Sequence, residues 1–226
     1  VALACPDMLQ ARARQLGLSV NIRLCQEDNL PLAHAAGDVY CLPHPLPQPV
    51  IPGQVNPDNV PALLAALAHA VDCCREAPSA RALVTGPLQK AVINQAGLDF
   101  SGHTEWLAQR CGVSDVVMLL ANDACRVALV TTHIPLRDVA DAITFTRCQT
   151  VFRIVHQGLS RYVCDNPQIR VCGLNPHAGE QGHIGREEID VIAPAIAACA
   201  AEGMAITGPI SADTAFIEAQ RQGVDA

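Results

Sequence analysis

Short β-rich runs alternate along this chain with amphipathic helical runs, and that alternation is the pattern of a mostly parallel sheet covered by helices. Val1–Ala4 reads as a strand, a helix begun by Pro6-Asp7 and ended by Gly17 follows, and Ser19–Leu24 reads as the next strand. Pro at the helix start and Gly past its end is the expected asymmetry. A helix over 58–76, an apolar strand Ala82–Thr85, a helix carrying Lys90 and a helix ending at Gly112 continue the alternation. Strands are expected at Val116–Leu120, Arg126–Thr131 and Ile169–Leu174, and a last strand-helix pair at 205–221. Helices over 146–163 and 186–201 separate the later ones. The segment Leu42–Pro52 holds five prolines, which exclude helix and central strand and make it a surface connection. With 50% hydrophobic and only 16% charged residues among 226, the chain can build a substantial core. The length suits one large lobe or two small ones, and two are expected, at 1–100 and 101–226.

Composition also excludes classes of function. The formal charge of −7, without a Lys/Arg run, argues against nucleic acid or an anionic membrane as the main partner. The longest apolar run, Val60–Cys74, is interrupted by His69 and Asp72 and is too short to span a bilayer. Eleven cysteines, odd in number, scattered and without a C-x-x-C pair, point to free thiols in a reducing cytoplasm rather than a disulfide framework. Walker, G-x-G-x-x-G, G-x-S-x-G and H-E-x-x-H motifs are absent. The opening without Met and the turn-like end suggest an internal piece of a longer protein.

Polar residues cluster in loops that follow expected strands, where open α/β sheets bind ligands. In Val130-Thr-Thr-His133-Ile-Pro135, the imidazole can present a nitrogen to a divalent metal, carry a proton, or cap backbone. In Asn175-Pro-His177-Ala-Gly-Glu180-Gln-Gly-His183, glycines let backbone approach a ligand, and His177 with His133 would leave coordination positions open for substrate. A hydrogen-bonded structural loop is the alternative. In Ser101-Gly-His103-Thr104-Glu105, a helix start offers free N–H groups, a hydroxyl and an imidazole to an anion such as phosphate, or simply a capped helix. Thr85-Gly86-Pro87 with Lys90 is a weaker fourth loop.

Taken together, Leu83-Val-Thr-Gly-Pro-Leu-Gln-Lys90, Phe100-Ser-Gly-His-Thr-Glu105, Ala128-Leu-Val-Thr-Thr-His-Ile-Pro-Leu-Arg-Asp138, Val171-Cys-Gly-Leu-Asn-Pro-His-Ala-Gly-Glu180 and Gly208-Pro-Ile-Ser-Ala-Asp-Thr214 closely resemble the 4-hydroxythreonine-4-phosphate dehydrogenase family of pyridoxal phosphate biosynthesis. The resemblance implies an isocitrate/isopropylmalate-dehydrogenase-like α/β fold with a mostly parallel sheet. It also implies a homodimer whose active site lies at the lobe and subunit interface, a divalent metal (zinc, magnesium or cobalt), and NAD or NADP. Residue by residue, His133 and His177 match metal ligands, and His103 and Thr104 match groups that hold the phosphorylated substrate. The family's third metal histidine belongs to a Tyr-His-Asp-Gln motif, which these 226 residues do not contain, and neither do they contain the family's opening Gly-Glu-Pro-Ala-Gly-Ile-Gly-Pro segment.

The implied reaction oxidises 4-phosphooxy-L-threonine to a 3-keto acid that loses carbon dioxide to give 3-amino-2-oxopropyl phosphate. Two alternatives stand beside it. One is oxidation of a related four-carbon acid, threonate or erythronate 4-phosphate, since fold does not fix substrate. The other is a dimerising piece without turnover of its own.

Overall fold

In the computed structural model, which describes residues 1–31 and 33–226, the chain divides into two units, Val1–Val113 and Ser114–Ala226. His103 and Thr104 both lie in the first unit.

Three parallel strands organise the first unit. β1 (Ala2–Ala4) leads through α1 (Pro6–Gln15) to β2 (Asn21–Leu24), and β3 (Asp38–Pro43) inserts between the two. The central position of β3 corrects the expectation that prolines bar the whole of Leu42–Pro52 from a central strand. β2 stops pairing at Leu24, opposite Cys41, so the missing N–H of Pro43 interrupts no bond there. The N–H of His44 still donates to the Ala4 carbonyl at 2.9 Å. β3 carries a buried carboxylate, Asp38, which accepts from Arg23 Nε at 2.6 Å and Asn21 Nδ2 at 2.9 Å.

Beyond β3 the Pro-rich segment is tied down by Asn59, whose buried side chain accepts from the Gln48 N–H at 2.9 Å and donates to the Gln48 carbonyl at 3.1 Å. α2 (Val60–Glu76) has Pro61 in its first turn and buries Val60, Ala66, Ala70, Val71 and Cys73. With α3 (Lys90–Gln95) and α4 (His103–Cys111) it encloses a core of Val60, Val92, Ile93 and Phe100, flanked by Leu64, Leu88 and Trp106. The strand expected at Ala82–Thr85 does not form. The segment pairs with no strand among the described residues, and Val84 is 91% exposed.

In the second unit the two expected early strands shorten to an antiparallel pair, β4 (Leu119–Ala121) and β5 (Arg126–Ala128). Asn122 shapes the turn between them by accepting from the N–H groups of Ala124 and Cys125 at 2.8 and 2.9 Å. α5 (Val139–Ala142) precedes α6 (Phe145–Tyr162), which Thr144 caps by accepting from the Arg147 N–H at 3.2 Å. α6 buries Cys148, Val151, Phe152, Val155 and Leu159, a stripe at helical spacing.

That stripe packs on β6 (Ile169–Cys172), on α7 (Ala193–Ala201), which a π-turn over Glu188–Ile192 introduces, and on β7 (Ile206–Ile210). Ala195 and Cys199 of α7 are fully buried, and their small side chains let the two helices approach. Each large apolar side chain so buried contributes about 1.5–3 kcal/mol. β6 and β7 are parallel, with Ile169 opposite Ile206 and Cys172 opposite Ile210 across one register shift. Gly208 sits at that shift with φ +128°, and a Cβ there would meet the Val171 carbonyl at 2.5 Å, so only glycine fits. α8 (Ala212–Ala215) and α9 (Glu218–Arg221) follow, and Asp225 and Ala226 then hydrogen-bond alongside Gln168 and Arg170. All eleven cysteines are free, and no helix among the described residues is long and apolar enough to cross a membrane.

Candidate functional site

The loop leaving β6 has an unusual backbone. His177, Ala178, Gly179, Glu180 and Gln181 all have positive φ, between 42° and 77°, and together make a left-handed turn. For the four non-glycine residues this costs roughly 1–2 kcal/mol each, so the surroundings must hold the turn in place.

Glu188 supplies the hold. It is 3% exposed, and its carboxylate accepts from the Asn175 N–H at 2.7 Å and from Asn175 Nδ2 at 2.9 Å. A Cβ on Gly179 would meet this carboxylate at 2.7 Å, so the turn closes directly over the buried charge. Burial alone would push the Glu188 carboxyl up, but the donors from Asn175 and from the Glu188 and Leu174 backbone outweigh it and hold the group below the usual carboxylate range.

The turn presents His177 to solvent, with Nδ1 3.6 Å from Glu180 Oε1. Because β6 and β7 run parallel, the loop meets the start of α8 at their carboxyl ends, where the Gly173 N–H donates to the Ile210 carbonyl at 2.8 Å. Asp213 of α8 is held below its ordinary range, first by the Ser211 hydroxyl at 2.6 Å and further by the backbone N–H and imidazole of His177. The motif 208–214 and the His177 loop therefore form one body.

His133 also has positive φ, +52°, and is exposed on the loop that follows β5. Arg147 pins the entry to that loop, donating to the Val130 carbonyl at 3.0 Å and to Asp115 at 3.0 Å. β5 and β6 line one apolar cavity of about 360 Å³ within the second unit, so both histidine loops leave walls of the same cavity. Among the described residues, neither His133 nor His177 belongs to a group of three side chains whose ligand atoms lie together.

In the first unit, Leu83–Leu88 and His103 line a cavity of about 770 Å³ together with α2 and β1. His103 sits edge-on to Phe100, with ring centroids 5.9 Å apart, and its buried Nε2 has no hydrogen-bond partner among the described residues. Gly102 occupies the N-cap of α4, and neither Ser101 nor Thr104 caps the helix. The plain-cap alternative for this motif therefore does not describe it. Glu105 instead folds back over Gly102, its carboxylate 2.8 Å from where a Cβ would stand.

The structure also gathers four side chains that motif reasoning passes over. Glu27 lies 3.2 Å from His69 Nε2 and 3.1 Å from Cys73 Sγ, and His69 Nδ1 lies 2.9 Å from His44 Nε2. The signal for two of them is present in the sequence, since His69 and Cys73 are four residues apart on one helix. Burial and the Glu27 carboxylate push the Cys73 thiol up to about 11.

The family model described as pyridoxal phosphate biosynthetic protein PdxA matches residues 1–226. A 4-hydroxythreonine-4-phosphate dehydrogenase of Pseudomonas putida is 46% identical over 228 aligned residues, covering 100% of this chain and 69% of the relative. One from Erwinia tasmaniensis is 47% identical over 227 residues, covering 100% of this chain and 68% of its own length. Among solved structures, a 4-hydroxythreonine-4-phosphate dehydrogenase from Klebsiella pneumoniae superposes with a TM-score of 0.88 at 32% identity, covering 97% of this chain and 68% of that one.

Proposed function

We propose that this chain, which belongs to the pyridoxal phosphate biosynthetic protein PdxA family and has its isocitrate/isopropylmalate-dehydrogenase-like α/β fold, serves the NAD- or NADP-dependent oxidation of 4-phosphooxy-L-threonine. The alcohol gives up a hydride to the nicotinamide and a proton to solvent. The resulting 3-keto acid releases carbon dioxide and leaves 3-amino-2-oxopropyl phosphate. The observation that carries the reading is the strained turn that commits His177 to a fixed, solvent-facing position, since such strain clusters where a side chain must be aimed.

His133 and His177 would hold a divalent metal. The donor set fits: both imidazoles are exposed, and Glu180 lies where a carboxylate can orient the His177 ring, as partners of metal-bound histidines do. The cation, when bound, stabilises negative charge on the substrate oxygen. His103, Thr104 and the uncapped first turn of α4 receive the phosphate, an anion suited to the positive end of a helix. The proposed working form is a homodimer.

Steady-state NADH or NADPH formation by the protein carrying this chain tests the reading, with 4-phosphooxy-L-threonine offered beside threonate and erythronate 4-phosphates. Metal-dependent turnover of the first, with one carbon dioxide per reduced nucleotide, is expected. Turnover confined to the hydroxy acids would reassign the substrate, and none with any of the three would overturn the reading.

A further inference from the structure

We propose that Glu27, His69 and Cys73 form a second metal site, selective for a thiophilic divalent cation of the zinc type, with His44 orienting His69 from behind. The proposal is independent of the dehydrogenase reading and uses neither His133 nor His177. All three ligand atoms lie within 4.8 Å of one another. Glu27 is 3.2 Å from His69 Nε2 and 3.1 Å from Cys73 Sγ. Ligands placed tetrahedrally about 2.0–2.3 Å from zinc stand about 3.3–3.8 Å apart, so only small side-chain shifts separate the observed cluster from a coordination shell.

The fold presets this arrangement. His69 and Cys73, four residues apart on α2, project from one face of that helix, and Glu27 comes from the turn after β2. A bound cation would therefore tie α2 to the loop beyond the sheet. With Nε2 turned to the metal, the His69 Nδ1–H donates to His44 Nε2 at 2.9 Å, the outer bond that metal-bound histidines usually make. This gives the Pro-rich segment that carries His44 a role in the site.

The surroundings leave the ligands available. Arg81, whose charge is felt by both Glu27 and Cys73, donates to the Cys73 carbonyl at 3.1 Å and lies 4.0 Å from Glu76, so its guanidinium is engaged beside the ligand atoms. Cys73 is buried while Glu27 is exposed, so the site opens to solvent on the carboxylate side and can admit a cation and a water as fourth ligand. On binding, the thiol proton leaves to solvent and the thiolate takes its place on the metal. A Glu/His/Cys set favours zinc, cobalt or another borderline-soft ion over magnesium.

Cobalt(II) titration is the test, on the full chain carrying His133→Ala and His177→Ala so that the proposed catalytic imidazoles cannot contribute. One cobalt per chain with a thiolate-to-cobalt charge-transfer band is expected. The band should vanish in Cys73→Ser, and affinity should fall by about tenfold or more in His44→Ala. Glu27→Gln alters an exposed side chain and should weaken binding without unfolding the protein, which circular dichroism checks. Absence of the band, its survival in Cys73→Ser, or unchanged affinity in Glu27→Gln would each show that the four residues are only a hydrogen-bonded cluster.

Discussion

Asn175 and Glu188 are joined twice, backbone N–H to Oε1 at 2.7 Å and side-chain amide to Oε2 at 2.9 Å, and the left-handed turn bearing His177 is closed over this pair. Removing the carboxylate leaves buried donors unpaired next to a strained backbone. Glu188→Ala should cost about 1–3 kcal/mol in chemical denaturation, and it should also lower turnover by displacing His177. A variant that loses stability but keeps full turnover would show that the turn does not aim the imidazole.

Acid should weaken the fold through the buried carboxylates. Asp38 is held below its ordinary range by Asn21 and then Arg23, and Glu188 is held low because Asn175 and backbone donors outweigh burial. For a lowered folded value, the stabilisation is fully present above the unfolded pKa, about 4, and is lost as pH falls through the folded value. Stability measured between pH 6 and about 2 should therefore fall along an acid limb, and Asp38→Asn should flatten it. An unchanged limb in that variant would place the acid sensitivity elsewhere.

Thr104 makes no cap bond to α4, so Thr104→Ala should leave thermal stability within about 0.5 kcal/mol of the parent while raising the KM for the phosphorylated substrate. His103, with a buried Nε2 lacking a partner among the described residues, should behave similarly: His103→Phe fills the same space and should keep or raise stability while weakening substrate binding. A loss of stability with unchanged KM in both would return these residues to a structural role.

Phe152 is 4% exposed at the centre of the α6 stripe. Phe152→Ala should destabilise the protein by about 3–5 kcal/mol in denaturant titration. A loss under about 1 kcal/mol would mean that the face is not the core described.

The legibility of the sequence tracks how local each structural cause is. The α6 stripe follows from apolar residues at a helical period, and α7 from an unbroken Ala-rich apolar run, both of which the chain displays openly. β3 was obscured because prolines follow it at once, and whether a proline harms a ladder depends on where the neighbouring strand stops, a tertiary fact. Ala82–Thr85 has strand composition yet pairs with no strand among the described residues. His133 and His177 were legible as loop imidazoles, but the left-handed turn was not, because its cause is a carboxylate eight residues past Glu180. The Glu27, His44, His69 and Cys73 cluster comes from three separate segments, and only the helical spacing of His69 and Cys73 shows in the sequence.

The most direct measurement is turnover against free divalent-metal concentration for the parent protein, His133→Ala and His177→Ala, with NAD and 4-phosphooxy-L-threonine saturating. Each substitution should shift half-activation to higher metal concentration and lower the plateau, because both imidazoles would hold the same cation. Full activity of His133→Ala or His177→Ala in metal-depleted buffer would contradict the account.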